Sequence, residues 1–104
     1  MTNKKRESPS GSSSIERRHI LVFGNVQGVG YRKFAVEHAV KLSLTGFCKN
    51  LPSGEVEVEV QGPPEKIQEL IGHLHKGPPR GRVDKVIFSS TVPLNQDSAF
   101  IIQY

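Results

Sequence analysis

From Glu55 to Gln61 the chain reads E-V-E-V-E-V-Q, an unbroken alternation of polar and apolar residues. Val56, Val58 and Val60 point one way and the polar set points the other, as in a strand with one covered and one wet face. His19–Phe23 (H-I-L-V-F) is a short apolar run ending at Gly24, which predicts a buried strand. The period then changes. Tyr31, Phe34, Ala35, Ala39 and Leu42 follow the i, i+3, i+4 rhythm of a helix with one buried stripe, widened by Val36 and Val40. Leu44–Lys49 predicts a second strand, joined by the turn Asn50–Gly54 to Glu55–Gln61 as a hairpin. Pro63, Pro64 and Glu65 suit the first turn of a second helix, which Ile67, Leu70, Ile71 and Leu74 continue and Gly77-Pro78-Pro79 ends. Val83–Thr91 predicts a fourth strand and Ala99–Tyr104 a short terminal one. The order βαββαβ plus a terminal strand predicts an α+β, ferredoxin-like split β-α-β sandwich. Its antiparallel sheet would carry two helices on one face and polar residues on the other. Many unrelated activities use that topology, so function must be read from a site.

Charge changes the picture only once it is divided. The 104 residues carry a formal net charge of +4. Residues 1–18 hold five basic and two acidic side chains, a net +3, which leaves +1 for the rest. Residues 1–18, rich in serine and charge, are expected to be a disordered tail, and residues 19–104 the folded domain. The nearly neutral domain offers no broad basic face for nucleic acid. There is no apolar h-region for secretion and no run long enough for a membrane span, and Glu7 and Glu16 argue against a transit peptide. The single cysteine, Cys48, excludes an intramolecular disulfide, suits a cytoplasmic protein and reads as a packing or edge residue. His73 and His75, two apart on a helix, point to different faces, while His19 begins a strand and His38 lies within a helix. No metal site is expected from them. Glu55, Glu57 and Glu59 read as a solvated strand face rather than an acid–base pair.

The candidate chemistry lies in F-G-N-V-Q-G-V-G-Y-R-K-F, Phe23–Phe34, between the first strand and the first helix. It is not a dinucleotide fingerprint, because Lys33 stands at the third glycine position. It is not a Walker loop, because Val29 stands at the second glycine position counted from Gly24. The elements of an anion site remain. Helix N-termini present unbonded N–H groups. Gly28 and Gly30 permit the backbone angles that converge such groups on one oxygen cluster. Arg32 follows with a planar fork able to grip two phosphoryl oxygens. Spacing alone leaves a structural turn with a solvated Arg32 equally open.

G-N-V-Q-G-V-G-Y-R resembles the acylphosphatase signature G-x-V-Q-G-V-G-(F/Y)-R. T-G-F-C-K-N-L-P-S-G-E-V-E-V-E-V-Q-G resembles that family's second block, G-(W/F)-V-x-N-x-x-(D/S)-G-x-V-E-V-x-x-x-G. The likeness spans residues 19–104. Asn25 and Ser53 depart from the common Arg and Asp at positions outside the family's chemistry. The resemblance implies metal-free, cofactor-free hydrolysis of a carboxyl–phosphate anhydride by a cytoplasmic monomer, with inorganic phosphate as product and inhibitor. It implies that Arg32 binds the phosphoryl group together with the backbone N–H groups of Gln27, Gly28, Val29, Gly30 and Tyr31. Asn50 is implied to hold the attacking water. The amide of Asn50 can orient water but cannot take its proton at neutral pH, which leaves a substrate oxygen as acceptor. Two alternatives stand beside this reading. A non-catalytic phosphate- or carbamoyl-phosphate-binding module would share the fold. An RNA-binding domain would need aromatics where E-V-E-V-E-V-Q presents glutamates.

Overall fold

A computed structural model describes residues 14–95 and 98–104. The elements are β1 (Glu16–Asn25), α1 (Tyr31–Lys41), β2 (Thr45–Asn50), β3 (Val56–Gly62), α2 (Pro64–Lys76), β4 (Arg82–Thr91) and β5 (Phe100–Gln103). They form one five-stranded sheet in the order β4-β1-β3-β2-β5. The first four strands pair antiparallel throughout. The fifth corrects the expectation of a wholly antiparallel sheet, because β5 runs parallel to β2, with Gln103 beside Lys49. No helix among the described residues is long and apolar enough to cross a membrane.

The covered face follows from the alternation. Ile20 and Val22 of β1 and Val56, Val58 and Val60 of β3 are fully buried, together with Ala35 and Ala39 of α1 and Ile67, Leu70 and Leu74 of α2. Each large aliphatic side chain so buried contributes about 1.5–3 kcal/mol. The connection from β4 to β5 is pinned at the end of β3. There Leu94 donates its N–H to Gln61 Oε1 (2.7 Å), and Gln61 Nε2 donates to the Leu94 carbonyl (2.8 Å).

Two expectations need correction. The tail assigned to residues 1–18 ends earlier: residues 1–13 lie outside the described residues, whereas Glu16, Arg17 and Arg18 open β1. Arg17 is only 2% exposed, with Nε donating to Glu59 (2.6 Å) and Nη1 to Gln61 (3.1 Å). A charge run looks like a tail in sequence because its acidic partners sit on a strand that pairs only after folding. The second correction concerns the open face. Glu57 and Glu59 are partnered across the strands, Glu57 with His19 at 2.7 Å. By register, Leu21, Phe47 and Ile87 share that face with them, so it is mixed rather than polar.

Candidate functional site

The turn between β1 and α1 is held at its ends and open in its middle. Val26 and Tyr31 are buried, while Gly28 and Gly30 face solvent. Gly28 (φ 76°) and Gly30 (φ 82°) are left-handed, and a Cβ on either would meet nothing within 4 Å. Glycine is therefore required there for backbone angle, not for room. Gly30 caps α1 without a side-chain hydrogen bond. The first bond of the helix runs from the Phe34 N–H to the Gly30 carbonyl (3.0 Å). The N–H groups of Tyr31, Arg32 and Lys33 thus have no carbonyl to reach within the helix, and they point their dipoles out of its N-terminal end.

Gln27 anchors this turn through its side chain. Its Nε2 donates to the carbonyls of Leu51 (2.8 Å) and Glu55 (2.9 Å), using both amide hydrogens to tie the β1–α1 turn to the β2–β3 turn. The latter is closed by Leu51 N–H to Glu55 O (2.9 Å) and Gly54 N–H to Leu51 O (3.0 Å), with the Ser53 hydroxyl on the Glu55 carboxylate. That hydroxyl holds the Glu55 carboxyl below the usual range. Asn50, at the end of β2, is brought beside the glycine turn as a result. Its Oδ1 is buried and accepts no hydrogen bond from the described residues.

The outcome is a cavity of about 150 Å³ lined by Gly28, Gly30, Tyr31, Arg32, Lys33 and Asn50. Among the described residues neither Arg32 nor Lys33 is paired with a carboxylate. The Arg32 guanidinium instead lies 5.2 Å from the centroid of the Tyr104 ring, within cation–π range. Beneath it, Cys48 Sγ lies 3.6 Å from the Arg32 carbonyl. Burial pushes this thiol up to about 11, against the pull of Arg32, so it is a neutral packing group at physiological pH. Tyr31 donates its hydroxyl to the Leu74 carbonyl (2.6 Å), and its phenol is raised by burial and then by Cys48. Tyr31 therefore joins the turn to the core without an ionisable role.

Of the seven residues singled out in sequence, Gly28, Gly30, Tyr31, Arg32 and Asn50 line the cavity, whereas Gln27 and Val29 belong to the same turn without lining it. Sequence reasoning gave Gln27 only a backbone role and missed its clamp. It also missed Tyr104, for which no local signal exists, since its position depends on the parallel docking of β5. The arrangement offers a cation, the N–H groups at the start of α1 and one buried acceptor at a single cavity.

Comparison with known proteins gives consistent results. A family model described as Acylphosphatase matches residues 18–102. A relative from Solibacter usitatus named "Acylphosphatase" is 54% identical over 71 residues, covering 68% of this chain and 74% of the relative. One of the same name from Caldivirga maquilingensis is 42% identical over 89 residues, covering 85% and 94%. The crystal structure of acylphosphatase from Bacillus subtilis superimposes with a TM-score of 0.82 at 32% identity, covering 86% of this chain and 99% of that one.

Proposed function

The chain belongs to the acylphosphatase family and is an enzyme that hydrolyses acyl phosphates, and from that premise we propose how its residues divide the work. Arg32 grips two phosphoryl oxygens in a bidentate contact, and the N–H groups of Gln27–Tyr31 receive the rest. Asn50 Oδ1 accepts a hydrogen bond from the attacking water and aims its oxygen at phosphorus. As the new P–O bond forms, the bond from phosphorus to the acyl oxygen breaks. The carboxylate departs with the electron pair, and the water proton passes to a phosphoryl oxygen. A carboxylate is a good leaving group, so charge stabilisation and positioning carry most of the rate.

The observation that carries this division is the pairing of opposites in one cavity. An arginine without a carboxylate partner among the described residues stands across from a buried amide oxygen without a donor. The buried amide oxygen costs free energy until a donor reaches it, and the guanidinium is left available to an anion. Inorganic phosphate, as product, is expected to compete for the Arg32 cradle. A monomer suffices, since one chain supplies every group named. A buried free thiol suits the cytoplasm.

The test is turnover of acetyl phosphate in ¹⁸O-enriched water. Attack on phosphorus places the label in orthophosphate and leaves acetate unlabelled. Label in acetate would overturn attack at phosphorus. Phosphate binding without turnover would mean a binding module of the same fold.

A further inference from the structure

We propose that the cavity between the middle of α1, the C-terminal end of α2 and the 77–81 loop is a second ligand site, built for an anion that carries a planar ring. This cavity measures about 510 Å³ and is lined by Phe34, His38, His73, Lys76, Pro78 and Pro79 among others. It is distinct from the phosphoryl cavity, which is less than a third as large. Tyr31 stands between the two: buried, it lines the first, while its ring meets Phe34 of the second at a centroid separation of 5.9 Å.

The lining has two chemical characters. One is flat and apolar. The Phe34 ring meets His38 edge-on at 4.5 Å, and His38 stacks on His73 at 3.9 Å with an interplanar angle of 23°. Pro78 and Pro79 add apolar surface to the same lining. A volume of this size is typical of small-molecule sites, and such surfaces favour planar rings. The other character is basic. Every titratable side chain in the lining is His or Lys, and no carboxylate contributes to it. Among the described residues Lys76 has no acidic partner. A cation with no acidic partner at the edge of an aromatic surface fits an anion attached to a ring better than a bare anion or a neutral ring.

Protonation tunes the site. Burial holds the His38 imidazole below its ordinary range, helped by His73 and Lys41 and opposed by Glu37. The groups around it are Glu37 and Lys41 on α1 and His73 and Lys76 on α2, and the loop adds exposed Arg80. At neutral pH His38 is therefore uncharged and Lys76 supplies the charge. As pH falls the imidazole can charge in turn, so affinity for an anion rises.

The experiment follows the imidazole proton resonances of His38 and His73 during titration with naphthalene-2-sulfonate. Inorganic phosphate is kept at saturation to occupy the phosphoryl cradle. Both resonances are expected to shift and saturate, with tighter binding at pH 5.5 than at 7.5. The neutral ring naphthalene-2-methanol and the ringless anion sulfate should each bind at least about tenfold more weakly, as loss of a charge-assisted contact or of ring stacking implies. Lys76→Met, at an exposed position that leaves the fold intact, should weaken the sulfonate by a similar factor at pH 7.5. Equal binding of the neutral ring, an unaffected Lys76→Met variant, or shifts confined to residues outside the cavity would each overturn the proposal.

Discussion

The two helices begin in opposite ways. α2 lacks a side-chain cap but otherwise starts as local rules expect. Pro63 is extended, Pro64 occupies a position where a missing N–H costs nothing, and Glu65 complements the positive end of the dipole. The N–H groups of Lys66 and Ile67 both reach the Pro63 carbonyl at 3.0 Å, and four buried aliphatics hold the helix to the sheet. α1 breaks these rules. Its cap is a left-handed glycine, its first turn has no acid, and Arg32 and Lys33 sit where the dipole already repels cations. Its buried stripe is only Tyr31, Ala35 and Ala39. Local conflicts of this kind concentrate at functional sites. An anion at the α1 terminus removes the conflict, so the comparison separates a helix start that serves packing from one that serves a ligand.

The comparison breaks most visibly at Arg32. Arg32→Ala should lower kcat/KM for an acyl phosphate by about a thousandfold or more, because the largest charge term at the transition state is lost. Added phosphate should raise the melting temperature of the wild type, by about 2.7 kcal/mol of stability at a hundredfold excess over Kd, and leave the variant unmoved. Turnover within tenfold of wild type would refute the role of Arg32. Asn50→Ala should lower kcat by about a hundredfold, as loss of a positioning group does, while the phosphate inhibition constant stays constant. The contrast between the two variants separates binding from water positioning.

Smaller changes sharpen the same comparison. Gly30→Ala forces a left-handed alanine and should cost about 1–2 kcal/mol of stability, read from chemical denaturation. It should also raise KM, because relaxation of the strained cap redirects the cradle N–H groups. At the equivalent end of α2, Glu65→Ala should cost about 0.3–1 kcal/mol and leave both kcat and KM alone. An effect on KM from the first change and none from the second would show that only one helix start is part of the site.

Much of this molecule was legible before folding because its signals are local. The alternation of Val56, Val58 and Val60, the helical spacing of Ile67, Leu70, Ile71 and Leu74, and the contiguous turn from Val26 to Arg32 each lie within a few turns of chain. Periodicity and turn chemistry act over that range. Asn50 was legible only through its place in the second motif block, since a lone asparagine at a strand end is ordinarily a turn residue. Tertiary structure alone decided the rest. Arg17 belongs to the sheet because Glu59 and Gln61 arrive beside it on β3. The Gln27 amide is a clamp because the 51–55 turn comes within its reach. Tyr104 covers Arg32 because β5 docks parallel to β2. His38 and His73, unremarkable on separate helices, become one stack when α1 and α2 pack together. These contacts join residues far apart in the chain, and no period or spacing encodes which of them will meet. That outcome is set by strand order and by how the helices cover the sheet, both of which depend on the whole core closing at once.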